Sequence, residues 1–153
     1  MQTFYPFEKL SDTVQCLDKK RCWKQAVECR QILNVLEGRS EGWKNHPAVK
    51  MWAGHVDFLK TYYNAFFYQS VVEYGVKAKK LGLIVDIDSY AKPPSWVGDK
   101  CFHESHQSNL ARKALEDIQK RGSFELYNNL QKFGIDAKKF DTTKPYVWPK
   151  GQL

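Results

Sequence analysis

The sequence lacks several features that would place the protein in a common functional class. No apolar run approaches the roughly 20 residues that a membrane-spanning helix needs, and residues 1–6 do not have the charged and apolar regions of a signal peptide. The motifs GxxxxGK[ST], GxGxxG and GxSxG are absent, which argues against nucleotide hydrolysis, Rossmann-type dehydrogenation and α/β-hydrolase chemistry. We therefore expect a soluble, intracellular protein (cytoplasm, nucleoid or nucleus) without a membrane partner.

Cysteine is scarce, and its spacing does not indicate a disulfide framework. The 4 cysteines include no CxxC pair, and Cys22 and Cys29 would lie too far apart along a helix to be bridged. Free and mostly buried thiols are expected. A metal site built from Cys101, His103 and His106 would match no familiar zinc spacing. The sequence thus predicts neither a metal nor another cofactor.

The residues that are abundant favour a basic globular protein. With 153 residues, of which 42% are hydrophobic, the chain has the size of one domain, expected over residues 1–153 and as a monomer. The 24 Lys and Arg against 17 Asp and Glu give a net charge of +7. Such a surface favours a polyanion, and above all nucleic acid.

Helical spacing of apolar residues dominates the first half of the chain. Ser11 is a candidate cap for one amphipathic helix, or two short ones in series, that would end near Leu36 before Gly38. Residues 48–74 are apolar on all sides, which predicts a long central helix.

The second half predicts two more helices, a loop and an extended tail. The helices are expected over residues 105–121 and 124–133, and the loop over residues 81–100, within which residues 84–89 could form a short strand. The aromatic tail, residues 141–153, is expected to be extended and to pack onto the body. The predicted fold class is all-α.

The first candidate site is a basic stretch on the first long helix. Lys20, Lys24 and Glu28 follow each other at intervals of four and so share one face, with Arg21 beside them. A carboxylate among lysines can stabilise a cationic sugar intermediate or move a proton while the lysines bind phosphates. The alternative is a solvated face with a Lys24–Glu28 ion pair.

Two further polar clusters are candidates for nucleic-acid contact. Asn45 and His46 precede Pro47 at a predicted helix start, where backbone N–H groups could bind a phosphate; the alternative is a capping turn with a packed Trp43. On the helix expected from Ser105, a polar stripe could contact phosphates or bases, and the alternative is an exposed face. The candidate residues of this stripe are His106, Gln107, Asn109, Arg112 and Lys113.

The order of these motifs resembles the pyrimidine dimer DNA glycosylase family, of the phage endonuclease V type, and its bacterial and phage relatives. The resemblance covers roughly residues 1–135, and the order of the motifs carries it more than any single one. The motifs are LDxKR (17–21), KQxVExxQIL (24–33), GWxNHPAV (42–49), AGHV (53–56), GD (98–99), HE (103–104), SHQSN (105–109) and RK (112–113).

The resemblance implies a compact, helical DNA-repair protein that binds double-stranded DNA. It implies that Glu28 is the catalytic carboxylate and that Lys20, Arg21 and Lys24 contact the DNA backbone. The family bends the duplex and flips a base out of the stack. An N-terminal amine then attacks the sugar C1′ and forms an imine, and β-elimination breaks the strand.

The residue after Met1 shapes the expected chemistry. Gln2 is bulky and normally leaves Met1 in place, so that the Met1 amine would be the nucleophile; an α-amino pKa of about 7.7–8.0 leaves part of it neutral at pH 7. The expected function is a glycosylase, with possible abasic-site lyase activity, that acts on a damaged or modified pyrimidine. One alternative is a nucleic-acid-binding module that lost the amine chemistry. Another is a protein-interaction domain whose tail, residues 146–148, binds a partner.

Overall fold

The computed structural model describes residues 1–149, so the end of the predicted tail, residues 150–153, lies outside the described residues. Over this range all regular elements are helical, which confirms the all-α prediction. They are α1 (Leu10–Gln15), α2 (Lys19–Leu36), α3 (Pro47–Lys50), α4 (Val56–Tyr68), a π-helical turn (Gln69–Glu73), α5 (Lys100–Arg121) and α6 (Glu125–Lys132). None of these helices is long and apolar enough to cross a membrane.

The chain forms two compact units. The first contains Met1–Thr3, Lys19–Val97 and the chain from Trp148, and the second contains Phe4–Asp18 and Gly98–Val147. The expectation of a single domain over residues 1–153 stays a prediction, because this division does not test it.

In the first unit, α2 packs against α4. Apolar residues of α2 at intervals of three or four, such as Cys22, Ala26 and Cys29, are fully buried, as is the aromatic face of α4 around Tyr62 and Phe66. Of the two alternatives left open by the sequence, one helix or two in series, the structure has two, with the break at residues 16–18. Ser11 is not the cap, however, because α1 begins one residue before it.

The long central helix predicted over residues 48–74 is interrupted. The chain leaves the helical path after Lys50 and resumes it at Val56. Gly54 adopts φ +81°, in the left-handed region that only glycine enters without strain. The apolar spacing continues through Met51 and Trp52, which are fully buried in the turn, and it therefore did not reveal the break.

Residues 84–89 form a loop, and one side chain supports it in place of a neighbouring strand. The Asn64 side-chain amide donates to Ile84 O and its carbonyl accepts from Ile84 N, both at 2.9 Å. The Tyr63 hydroxyl donates to Gly82 O at 2.8 Å. These bonds hold the loop against α4.

In the second unit, α5 and α6 pack together. Helix α5 begins at Lys100 rather than at Ser105, because the Asp99 carboxylate caps it by accepting from Phe102 N at 3.1 Å. It ends at Arg121 as predicted, and Gly122 follows in the left-handed conformation.

Candidate active site at the N-terminus

The N-terminal segment is hydrogen-bonded to α2. The backbone N–H of Gln2 donates to Oε2 of Glu28 at 3.0 Å, and the Gln25 side-chain amide donates to Gln2 O at 2.9 Å. Gln25 is itself fixed from α4, since the Tyr62 hydroxyl donates to its Oε1 at 2.8 Å. The main chain of residue 2 is thus held on both sides by buried polar groups of α2.

Thr3 is anchored by the turn that interrupts the predicted central helix. The Trp52 indole N–H donates to Thr3 Oγ1 at 3.0 Å, and the Thr3 hydroxyl donates to the Met51 sulfur at 3.8 Å. Trp96 supports the same turn, because its indole N–H donates to Met51 O at 3.2 Å. The break in the helix therefore contributes directly to the position of the N-terminus.

Glu28 is a buried carboxylate that lies beside the Lys24 ammonium. The residue is only 8% exposed, and Lys24 Nζ lies 3.9 Å from its Oε1. The Lys24 side chain is 70% exposed, so this contact is a weak ion pair and leaves the ammonium accessible to other anions. Burial, and then the Glu28 charge, raise the pKa of the neighbouring Cys29 thiol. Cys29 thus stays protonated and does not compete as a nucleophile.

His46 lies within electrostatic reach of this centre. Its Nδ1 accepts from Ala48 N at 3.0 Å and caps α3, which confirms the capping turn; in the neutral ring the proton is therefore on Nε2. Burial and then the positive N-terminal amine lower the pKa of His46, while Glu28 raises it. The charges of the amine and of the carboxylate thus both act on the His46 imidazole.

Trp43 does not pack as the capping alternative expected. Its side chain is 64% exposed, and it contacts the His46 ring edge-to-face with the centroids 5.8 Å apart. Helix α3 has only four residues, which gives little support to a phosphate site at its start. Asn45 is exposed beside it.

The basic residues of α2 have the exposure that backbone contact requires. Lys20 and Lys24 are exposed and Arg21 is half-buried. These three residues and Glu28 all lie on α2 of the first unit.

Most side chains of the polar stripe of α5 form hydrogen bonds within the second unit. The His103 Nδ1–H group donates to Tyr5 O at 2.7 Å, and the Tyr5 N–H donates to His106 Nδ1 at 2.9 Å. His103 Nε2 accepts from Gly98 N at 2.8 Å, so neither ring nitrogen of His103 is left for a metal. Burial, with a smaller contribution from the charge on His103, lowers the pKa of His106 to about 3.

The remaining stripe residues are also bonded internally. The Asn109 amide donates to Ser105 O and Lys144 O, and Gln107 donates to Pro6 O. The Arg112 guanidinium bonds Glu116 at 2.8 Å and Asn109 at 3.1 Å, and Lys113 is half-buried. The stripe does not form the exposed face considered from the sequence. The burial of His106 and Asn109 favours a structural role for both over direct DNA contact.

Sequence reasoning singled out Glu28 but missed the residues that hold the N-terminus against it. Tyr62 and Trp52 counted only as apolar residues of the predicted central helix, and Trp96 lay within the predicted loop. Gln25 did lie within the KQxVE motif, and this was the one signal available for it.

Comparison with known proteins finds a family match for the first part of the chain. The family model of pyrimidine dimer DNA glycosylases matches residues 1–71, a segment that includes Met1, Glu28 and His46. No curated protein and no solved structure matches the chain. The motifs at residues 98–113 lie beyond the match, and their likeness to the family stays a prediction. Over residues 1–71 the expected resemblance to the pyrimidine dimer DNA glycosylase family is confirmed.

Proposed function

We propose that this protein is a DNA glycosylase that removes a damaged or modified pyrimidine from double-stranded DNA by attack of the Met1 α-amine. One observation carries the proposal: the Gln2 amide bonds the buried Glu28 carboxylate at 3.0 Å. This bond holds Gln2, the residue after the amine, against Glu28. The family resemblance implies that Glu28 is the catalytic carboxylate.

The amine reacts at C1′ of the target nucleotide. Its nitrogen forms a bond to C1′ and loses a proton, while the bond from C1′ to the base breaks and the base leaves with the electron pair and takes up a proton. Opening of the sugar at O4′ gives an imine between Met1 and C1′. Loss of a proton from C2′ then expels the 3′ phosphate by β-elimination, which is the lyase step.

Glu28 is suited to the proton transfers in this sequence. Its Oε2 accepts from Gln2, while Oε1 faces the accessible Lys24 ammonium. A carboxylate in this position stabilises the cationic sugar and imine, and it can take the C2′ proton.

The basic face of α2 supplies the contacts to DNA. Lys20, Arg21 and Lys24 would neutralise phosphates on the strand that enters the site. The glycosidic bond of a stacked base is out of reach of a buried centre, so we expect the duplex to be bent and a base to be flipped out of the stack.

Borohydride trapping tests the proposal. The protein would be incubated with duplexes that contain a thymine dimer, an abasic site or no lesion, and the adduct mapped by peptide mass spectrometry. We expect a covalent adduct on the Met1 nitrogen with the two modified duplexes. Adducts on a lysine would contradict the assignment of the nucleophile. A thymine-dimer duplex that releases no base would contradict glycosylase activity on that lesion.

A matched variant controls for the position of the amine. Two residues added before Met1 displace the amine but leave the Gln2 main chain able to bond Glu28. The extended protein should bind DNA and form no adduct at its new N-terminus. If the extended protein were trapped at an undiminished rate, the position of the Met1 amine beside Glu28 would not determine which amine reacts.

A further inference from the structure

The C-terminal tail is hydrogen-bonded to α5 within the second unit. The Ser108 hydroxyl donates to Asp141 O at 2.6 Å. Further along the tail, the Val147 N–H donates to Ser105 Oγ at 3.1 Å. The main chain of the tail is therefore fixed up to the residue before Trp148.

Trp148 itself belongs to the first unit, where its indole contacts the His46 ring. The two rings meet edge-to-face, with the centroids 6.3 Å apart and the planes at 87°. Trp43 contacts the same imidazole edge-to-face, with the centroids 5.8 Å apart. His46 is thus in contact with two indoles, one of which comes from the far end of the chain.

The His46 imidazole fixes the start of α3, and α3 leads to the anchor of the N-terminus. The His46 Nδ1 accepts from Ala48 N at 3.0 Å, and α3 continues into the turn that contains Met51 and Trp52. The Trp52 indole N–H donates to Thr3 Oγ1 at 3.0 Å. A continuous set of contacts therefore leads from His46 to the segment that follows the N-terminal amine.

The charge state of His46 matters for the proposed chemistry. Burial and then the positive N-terminal amine lower the pKa of His46, while Glu28 raises it. On the turn before α3, Lys44 Nζ lies 4.0 Å from Glu41, so that these two charges compensate each other. Reaction of the amine develops positive charge, which a protonated His46 would oppose. Aromatic rings that cover the imidazole favour its neutral form.

We propose that Trp148 is a positioning residue for the reaction at the N-terminus, and that it acts by fixing the His46 imidazole at the start of α3. The proposal rests on the proposed function, and it adds to the site a segment outside the family match over residues 1–71. Without the indole, the imidazole is free to turn away from Ala48 N, and the turn that anchors Thr3 loses support.

The rate of imine formation on a duplex with an abasic site tests this role. We expect Trp148→Ala to lower the rate of borohydride trapping at saturating protein about two- to tenfold, the size of one edge-to-face aromatic contact. The Kd for the same duplex should change by less than about twofold, because the indole acts on the reaction step. Trp148→Phe keeps an aromatic ring and should restore the rate to within about twofold.

Val147→Ala is the matched control within the tail. Val147 is 42% exposed and directly precedes Trp148, and its main-chain bond to Ser105 does not depend on the side chain. This variant should react at the parent rate. A fall as large as that of Trp148→Ala would contradict a specific role of the indole. Circular dichroism reports whether each variant keeps its fold.

The titration of His46, followed by NMR without DNA, is a second readout that requires no activity. Loss of the indole exposes the imidazole, so the pKa of His46 should rise in Trp148→Ala towards that of a solvent-exposed histidine. It should stay unchanged in Val147→Ala. The N-terminal amine and Glu28 are present in both variants and act on His46 in both.

The remaining outcomes would overturn the proposal or the function on which it rests. An unchanged His46 pKa, or an unchanged trapping rate, in Trp148→Ala would each overturn it. A loss of affinity as large as the loss of rate would make Trp148 a DNA contact instead. A parent protein that forms no adduct on Met1 would contradict the proposed function, whereas the His46 titration would still decide whether Trp148 fixes the imidazole.

Discussion

The backbone N–H of Gln2 and the carboxylate of Glu28 are joined by a hydrogen bond of 3.0 Å, although 26 positions separate them in the chain. The contact uses the main chain of residue 2 and a buried side chain of α2. It links the start of the chain to the one acidic group that the family resemblance identifies as catalytic.

Replacement of this carboxylate by an amide should separate catalysis from binding. In Glu28→Gln, the side-chain carbonyl can still accept from Gln2 N, but it cannot take a proton or balance a cationic intermediate. We expect base release to fall by about 10²–10⁴-fold, with Kd for DNA nearly unchanged. The measurements are single-turnover base release and fluorescence anisotropy. A parallel loss of binding would make Glu28 a structural residue.

The hydroxyl of Tyr62 should contribute to the position of the N-terminus through Gln25. Tyr62→Phe removes the donor to Gln25 Oε1 and leaves a buried acceptor without this bond. We expect the free energy of unfolding to fall by about 1–3 kcal/mol and the rate of imine formation to fall more than DNA affinity does. Urea denaturation and borohydride trapping measure the two effects. An unchanged trapping rate in a destabilised variant would limit Tyr62 to a role in stability.

The salt dependence of DNA binding should distinguish the basic residues of α2 from those of α5. Lys24→Ala removes an accessible cation, and we expect the slope of log K against log salt to become shallower by about one unit. Arg112→Ala should change the slope less, because this guanidinium is bonded to Glu116 and Asn109. Anisotropy titrations at several salt concentrations give both slopes. Equal changes in the two slopes would show that Arg112 also contacts DNA.

The buried His106 should make the protein less stable as pH falls. Its pKa lies near 6.5 in the unfolded chain and is lowered to about 3 in the folded protein by burial and by His103. Between these values the unfolded state binds the proton, so stability is complete above pH 6.5 and decreases towards pH 3. At pH 5 the loss from this group is about 2 kcal/mol.

A single substitution isolates the contribution of His106. In His106→Asn, the side-chain oxygen can accept from Tyr5 N in place of Nδ1 and does not titrate. The free energy of unfolding of this variant, measured with urea from pH 7 to pH 5, should fall by about 2 kcal/mol less than that of the parent. The same decrease in both would show that His106 is not the group that titrates.

The sequence was sufficient for the class of fold because helical spacing is local information. The end of α5 at Arg121 and the end of α2 at Leu36 followed from the pattern of apolar residues and from Gly122 and Gly38. The turn at Gly54 did not, since the buried Met51 and Trp52 continue the apolar spacing through it. Only the partners of these residues, Thr3 and Trp96, reveal why the chain turns there.

Residues of the candidate site could be predicted from the sequence only where the residue type itself indicates a chemical role. Glu28 was singled out as a carboxylate at helical spacing from lysines, and the resemblance to the family gave it the expected catalytic role. The burial of His106 and Asn109 could not be foreseen, since it depends on Tyr5 and Lys144. Polar side chains with helical spacing look alike whether they face solvent or the backbone of a distant segment.

The pairing of Asn64 with Ile84 has a consequence for the protein in concentrated solution. The segment Ile84–Val85 is rich in β-branched residues, and Val85 is 92% exposed, a composition that favours pairing with strands of other molecules. Asn64 already occupies both the N–H and the C=O of Ile84. Because this side-chain amide occupies the hydrogen-bonding edge at Ile84, we expect it to disfavour pairing of the loop with a strand of another molecule.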